Sequence, residues 1–469
     1  MKNLKKGAHI HLMGICGTAM ASLAGLLKDR GFHVTGSDQN PYPPMSTQLE
    51  SLGITIQIGY KAENLNPRPD FVIVGNVISK NNPEAEELLK LKIDYTSLPK
   101  AMGDVIIDHR TCVCVSGTHG KTTTSSLMTW VSEVANKKPG YMIGGIPKNF
   151  AQSFRNPESD LFVIEGDEYD TAFFDKVPKF IHYKPTFGIL TSIEFDHADI
   201  YRDLDHVKEA FTMLLKLIPQ NGSLIYWAED ENIKSILPNL KAPGFSYGLN
   251  KGDLQAKILK TTESSTEFQV TFKNTDWGVY KLPLSGEYNV LNALSVIATS
   301  YLLKIDQNDV KKAFETFKGI KRRQEVLGEP RGVLVIEDFA HHPTAVKETI
   351  KGIKAKYPTR KLWAVFEPRS ATSRRKIFQA EYAKAFSLAD EVLIAEAFDQ
   401  SKLNETDRFS SAELVSDISK SGKHAKVYSG VDGIIKDISS GAKSGDMVMI
   451  MSNGGFDGIY TKLLGALGG

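Results

Sequence analysis

The chain has 469 residues, 41% apolar and 24% charged, and its 57 basic and 55 acidic side chains leave a formal charge of +2. At about 150 residues per domain this length accommodates about three domains with buried cores. The near-neutral balance excludes bulk attraction to nucleic acid or to an anionic membrane.

Cys16, Cys112 and Cys114 are too few and too odd in number for a disulfide framework, and buried small apolar roles suit the alternating pair Cys112 and Cys114. Met1 to Gly7 carries lysines without the apolar stretch of a signal peptide. No run approaches the roughly 18 apolar residues of a membrane span. The expectation is a cytoplasmic protein.

The first apolar run, Ile10–Met13, passes into Gly14-Ile15-Cys16-Gly17-Thr18-Ala19-Met20 and then into a helical pattern. This is a degenerate dinucleotide fingerprint, with Cys16 and Ala19 where glycines are usual. Taken alone it suggests a dehydrogenase, a reading that leaves the remaining motifs unexplained. Ser37 and Asp38 close the next strand, where a ribose or phosphate contact competes with a plain turn. Phe71–Val74 extends the series and ends in Gly75-Asn76.

The second such unit is the most informative. Cys112–Ser116 runs into Gly117-Thr118-His119-Gly120-Lys121-Thr122-Thr123 and opens a helix. In that context glycines let backbone N–H groups turn toward phosphates, and the helix terminus adds partial positive charge. Lys121 would reach the terminal phosphates, and the Thr122 hydroxyl would meet Mg2+. The strict motif has another glycine five positions before Gly120, where Val115 stands, so the loop is a shorter version.

Leu161–Ile164 then ends in Glu165, followed by Asp167, Glu168 and Asp170. A solvated turn is the bland reading. The position at a strand's C-terminal end, where sites of α/β proteins collect, favours metal binding. Phe187–Ile193 leads likewise into Glu194-Phe195-Asp196-His197-Ala198-Asp199, with His197 as a second-metal ligand or a structural histidine. Lys251–Leu284 differs in its period-two character and predicts a small antiparallel element inside the middle domain.

The third unit, Val333–Ile336 into Asp338-Phe339-Ala340-His341-His342-Pro343, continues through Leu362–Phe366, Glu391–Ala395 and Met447–Met451. Such strand–helix alternation predicts an α/β chain of parallel sheets with covering helices. Boundaries fall near residues 108 and 322.

Gly117–Thr123, the acid cluster from Glu165, Glu194–Asp199, Gly286–Ala293, Lys321-Arg322-Arg323 and Asp338–Pro343 resemble, in order, the successive signatures of the Mur ligases. They cover nearly the whole chain. The resemblance implies a Rossmann-like UDP-binding domain (1–108), a P-loop ATPase domain (109–321) and a Rossmann-like C-terminal domain (322–469) that closes over nucleotide and binds the acceptor. It implies ATP and Mg2+, with Gly117, Thr118, His119, Gly120, Lys121, Thr122 and Thr123 around the phosphates. Thr122, Glu165 and His197 would hold metal, and Lys121, Glu165 and His197 would form the catalytic set. Asn289 would contact adenine, Asn292 would lie toward the phosphates, Arg322 or Arg323 would support the γ-phosphate, and Asp338 would meet the ribose. Gly14, Ile15, Cys16, Gly17, Thr18, Ser37, Asp38 and Asn76 would receive the UDP-sugar.

Several relatives carry a carbamylated lysine beyond the histidine that matches His197; here that position is Thr212. The departure points to the branch acting on UDP-N-acetylmuramate itself. Within it, one reaction adds L-alanine and another adds the tripeptide L-alanyl-γ-D-glutamyl-meso-diaminopimelate in peptidoglycan recycling. Tyr42-Pro43-Pro44-Met45-Ser46, Gly75-Asn76, Asp167–Lys176, Lys179–Tyr183, Glu367-Pro368-Arg369-Ser370 and Met451–Phe456 resemble the tripeptide form. Tyr169, His341 and Arg369 would meet the peptide, arginine being suited to bidentate carboxylate recognition, whereas Arg374 and Arg375 suit a solvated helix start.

The implied chemistry is an acyl phosphate formed from ATP and then attacked by the peptide amine, with His182, His197 and Asp199 as candidate bases. The implied partners are small molecules, with no nucleic acid or membrane, and the implied state is a monomer or weak homodimer. A non-catalytic nucleotide-binding regulator is the reading from another class; the intact set Lys121, Thr122, Glu165 and His197 speaks against it.

Overall fold

The computed structural model describes Met1, residues 4–41 and residues 45–468; Tyr42-Pro43-Pro44, part of one segment that resembles the tripeptide form, lies outside the described residues. The chain forms two compact units. Met1–Glu194, Leu204–Gln255 and Asn292–Thr316 make the first; Phe195–Asp203, Ala256–Leu291 and Phe317–Gly469 make the second.

In the first unit, β1 (His9–Met13), β2 (His33–Asp38), β3 (Thr55–Ile58), β4 (Phe71–Val74) and β5 (Tyr95–Ser97) form a parallel sheet in the order β3-β2-β1-β4-β5. Ile10, Leu12 and Met13 of β1 and Val72, Ile73 and Val74 of β4 are wholly buried, as both faces of a covered parallel sheet require. Strand order reverses at β1, which places the loop after it at the switch point where such sheets bind ligands. That loop leads into α1 (Thr18–Asp29), whose first residue follows an extended Gly17 with no side-chain cap.

A second sheet in the same unit contains β6 (Thr111–Ser116), β7 (Gly140–Met142), β8 (Phe154–Arg155) and β9 (Leu161–Gly166). After the hairpin β10 (Asp170–Ala172) and β11 (Asp175–Pro178), this ten-stranded sheet continues with β12 (Phe187–Leu190), β13 (Ser223–Trp227) and β14 (Gly244–Gly248). The order is β14-β13-β12-β6-β9-β7-β8, parallel except for β8. α2 (Lys121–Val134) follows β6 directly. The run expected as a strand through Ile193 stops at Leu190, because Thr191 and Ser192 leave the ladder to bind the loop before α2. β15 (Leu254–Thr261) begins here, pairing in parallel with β14 through Leu254 and Gln255.

In the second unit, β16 (Thr266–Phe272) and β17 (Thr275–Leu282) are antiparallel, as the period-two pattern predicts. Lys273 (φ 47°) and Asn274 (φ 67°) make the two-residue turn, both with the positive φ that a tight hairpin needs. α3 (Glu287–Leu302) follows, and its residues from Asn292 onward group with the first unit.

The C-terminal sheet has the order β18-β19-β23-β20-β21-β22, from β18 (Glu325–Gly328), β19 (Leu334–Asp338), β20 (Leu362–Phe366), β21 (Glu391–Ala395), β22 (His424–Tyr428) and β23 (Met447–Met451). Only β18 is antiparallel. Alternate residues face opposite layers: Ile336, Ala364 and Met449 enter one core, Val335, Val365 and Ile450 the other. α4 (Pro343–Lys356) starts with proline at its first position and the His342 side chain as cap. No helix among the described residues is long and apolar enough to cross a membrane.

Candidate active site

The loop between β6 and α2 is shaped by two glycines. Gly117 (φ 126°) and Gly120 (φ 81°) adopt left-handed conformations, and a Cβ on them would lie 2.2 Å from Thr191 Oγ1 and 2.5 Å from Asn292 Oδ1. The segment after β12 straps the loop down. Thr118 N–H donates to the Ser192 carbonyl (2.9 Å), His119 N–H to Ser192 Oγ (3.1 Å), and the Thr191 hydroxyl to the His119 carbonyl (2.5 Å). These bonds hold a loop that lacks the usual first glycine. α2 has no side-chain cap, so its terminal dipole faces the loop unscreened by a capping side chain.

Lys121 opens α2, and its ammonium donates to the Gly117 carbonyl (2.7 Å) and to both Glu168 oxygens (2.8 and 3.1 Å). Burial works to lower the Lys121 pKa, but Glu168, Asp167 and Glu165 outweigh it, and the net shift is upward. Lys121 is therefore a fixed cation at neutral pH. Beside it, the Thr122 hydroxyl donates to Glu165 Oε2 (3.2 Å), while Ser125 Oγ (3.3 Å) and Gly144 N–H (2.7 Å) hold Oε1. A hydroxyl and a carboxylate side by side are the hard oxygen donors that Mg2+ takes, so the residues fit that ion.

The same unit carries a cleft of about 470 Å³ at the end of the first sheet. Of the residues expected to receive a UDP-sugar, Gly14, Cys16, Gly17, Thr18, Asp38 and Asn76 line it. Ile15 and Ser37 do not. Ile15 is wholly buried, and the Ser37 hydroxyl donates to the buried Glu84 (2.9 Å). Asp38 accepts from Cys16 N–H (2.9 Å). Burial and then Asp38 push the Cys16 thiol up to about 11 and the Tyr60 hydroxyl up to about 12, so both stay protonated.

Sequence reasoning assigned no role to Tyr60, Thr171 or Lys179, which line the cleft as well. Thr171 and Lys179 fall in the segments Asp167–Lys176 and Lys179–Tyr183 that resemble the tripeptide form, whereas Tyr60, after β3, lies in no such segment. Tyr169, at the start of the β10 hairpin, lies under the Lys179 ammonium at 5.8 Å from the ring centre. His182 pairs through Nε2 with Asp175 (2.7 Å).

The second unit holds the remaining predicted residues. Asp338 ends β19, buried, and accepts from Gln324 N–H (2.9 Å) and Ala340 N–H (2.8 Å); burial raises its pKa against the opposing Arg323. Asn289 donates to the Ser285 carbonyl (2.7 Å). Arg322 and Arg323 both lie over the Phe339 ring, at 5.0 and 4.9 Å, but differ in their partners. Arg322 donates to Glu337 (2.5 Å) and to the carbonyls of Ser452 (3.0 Å) and Gly454 (2.6 Å). Arg323 has no ion pair among the described residues.

Arg369 stacks at 3.8 Å on Phe398 and pairs with Glu367 (3.2 Å). His197 has a positive φ of 53° and is bracketed by neighbours tied to Thr372, whose hydroxyl donates to Asp196 (2.5 Å) and accepts from Ala198 N–H (3.5 Å). Burial works to raise the Asp196 pKa, but His197, His341 and His342 outweigh it and hold the carboxyl well below its ordinary range. His341 lies 3.9 Å from Asp196, and its pKa is lowered, chiefly by burial.

Comparison with known proteins gives three family matches along the chain. Residues 9–110 match the catalytic domain of the Mur ligase family, residues 115–300 the Mur ligase middle domain, and residues 322–454 the Mur ligase glutamate ligase domain. The chain is 40% identical over 463 residues to the UDP-N-acetylmuramate–L-alanyl-γ-D-glutamyl-meso-2,6-diaminoheptandioate ligase of Escherichia coli K12, covering 98% of each. It is 34% identical to the UDP-N-acetylmuramate–L-alanine ligase of Clostridium tetani, covering 97% of this chain and 96% of that one. A crystal structure of a murein peptide ligase from Psychrobacter arcticus superposes with a TM-score of 0.73 at 38% identity, covering 98% of this chain and 99% of that one.

Proposed function

This chain belongs to the Mur ligase family, and from that premise we propose that it joins the carboxylate of UDP-N-acetylmuramate to the amine of L-alanyl-γ-D-glutamyl-meso-diaminopimelate. It is an ATP-dependent, amide-forming ligase acting on small molecules. The full-length 40% identity to the Escherichia coli tripeptide ligase carries the choice of acceptor. The L-alanine reaction is the second reading, favoured by the 34% identity to the Clostridium tetani enzyme. We place the reaction in the cytoplasm, where ATP is supplied, on a chain that is a monomer or weak homodimer.

In the proposed mechanism the muramyl carboxylate attacks the γ-phosphorus of ATP, the bond to ADP breaks, and an acyl phosphate forms. The peptide amine then attacks the acyl carbon, loses a proton, and the tetrahedral intermediate expels phosphate to leave the amide. The chain's part is positioning and electrostatics. Lys121, the N–H groups of residues 117–123 and Asn292 face the ATP phosphates; Asp338 meets the ribose and Asn289 the adenine.

Of the two arginines, Arg323 serves the γ-phosphate, since Arg322 is already committed to Glu337 and two carbonyls. Thr122, Glu165 and His197 would hold Mg2+, which supplies charge neutralisation on the phosphates when bound. Arg369, His341 and Tyr169 serve the peptide. His182, His197 and Asp199 are the candidates to take the proton of the amine, and His182 is paired through Nε2 with Asp175.

The test is phosphate release from ATP with UDP-N-acetylmuramate and Mg2+, with the tripeptide or L-alanine as sole acceptor. Release with the tripeptide, and a product of the corresponding mass, is expected. Release with L-alanine alone would transfer the assignment to the second reading.

A further inference from the structure

The charges lining the cleft of the first unit are few. Among the described residues Asp38 is the only acid there and Lys179 the only lysine, arginine or histidine. A UDP-muramyl substrate brings two separate anionic groups to this cleft, a diphosphate and the lactyl carboxylate of the sugar. The uncapped start of α1 at Gly17 and Thr18 offers backbone N–H groups to the diphosphate. Asp38 repels both anions and suits hydroxyl or N–H donors of the nucleoside. One anion and one cation then remain.

Lys179 is held in place for that anion by contacts with two neighbours. Its backbone N–H donates to the Asp167 carbonyl (3.1 Å), its ammonium donates to the Asp167 carboxylate, and the Tyr169 ring lies beneath it. An ammonium has three N–H donors, and Asp167 is the only acceptor of the Lys179 ammonium among the described residues. The lysine is also tied to the segment that meets the phosphate loop. Asp167 is followed in the chain by Glu168, whose two oxygens take the Lys121 ammonium. A carboxylate held by Lys179 is thus one short segment from the lysine that faces ATP.

The geometry points to Lys179 as the residue that binds the lactyl carboxylate and aims it at the γ-phosphate. This rests on the proposed reading of the substrate. The competing role, a counter-ion for Asp167 and nothing more, predicts no effect on ligand choice.

Isothermal titration of the full chain, without ATP or Mg2+, separates the two. UDP-N-acetylmuramate is compared with UDP-N-acetylglucosamine, which keeps the nucleoside, diphosphate and N-acetyl sugar but lacks the carboxylate. Lys179→Met is expected to weaken UDP-N-acetylmuramate binding by roughly tenfold to a hundredfold, leave UDP-N-acetylglucosamine within about twofold, and so show that the cleft remains folded. Lys179→Arg should keep most of the affinity.

Unchanged binding of UDP-N-acetylmuramate, or an equal loss for both ligands, would overturn the assignment. Wild-type protein alone gives a further check: it should prefer the muramate, and equal affinity for the two would also overturn it. Wild type that binds neither nucleotide would bring down the substrate reading and this assignment together.

Discussion

With Lys121 replaced by Met, Glu168 loses the ammonium that lies 2.8 Å away, although its side chain is only 2% exposed. Breaking one partner of such a pair costs about 3 kcal/mol, and on the proposed reading loss of the cation for the phosphates lowers turnover by about a hundredfold or more. Lys121→Met should therefore reduce both the melting temperature and phosphate release. Adding Glu168→Gln should restore much of the melting temperature and none of the activity. Recovery of both together would show that Lys121 acts only through the fold.

That Lys121, Thr122 and Glu165 come together is legible in the sequence, because strand, turn and helix dictate where those side chains must point. The place of Lys179 in the cleft wall is not, since a lysine after a short hairpin has no spacing that separates a cleft-lining side chain from a solvated charge. Nor were Arg322 and Arg323 separable. Neighbouring arginines are told apart only by tertiary partners, here Glu337 and the carbonyls of Ser452 and Gly454.

At the scale of elements, the β6–α2 connection depends on backbone shape as much as on side chains. Gly120→Ala would place a methyl 2.5 Å from Asn292 Oδ1 and demand a left-handed φ from alanine. With about 1–2 kcal/mol of backbone strain alone, ATP affinity should fall roughly tenfold, measured by titration with a non-hydrolysable analogue. Wild-type affinity in the variant would refute this account of the loop.

The three sheets were legible from their apolar runs, and the antiparallel pair β16–β17 from its alternation. The end of β12 was misjudged, because Thr191, Ser192 and Ile193 fit a strand by propensity. What ends the strand is the hydrogen-bonding demand of residues 118 and 119, more than seventy positions earlier.

At the scale of the whole molecule, a short stretch between β12 and the helix at Leu204–Leu217 belongs with the C-terminal unit. Phe195–Asp203 is held there by the Thr372 hydroxyl on Asp196 (2.5 Å), by the contact of His342 Nε2 with the Phe195 carbonyl (3.2 Å), and by Phe378 against Phe195. Thr372→Val should speed amide exchange across residues 195–203 and lower kcat, whereas Thr372→Ser should preserve both. Unaltered exchange in the Val variant would show that the hydroxyl does not hold the stretch.

No local pattern announces this attachment, since its partners are 176 positions apart. The first unit, for its part, contains both the cleft proposed for the UDP-sugar and the loop proposed for the phosphates, while Arg369 and His341 lie in the second. On the proposed reading the muramyl substrate is held by the first body, and two of the three side chains proposed for the peptide belong to the second. Exchange of Arg369 and His341 would then alter the choice of nucleophile and leave the groove that receives the acid unaltered.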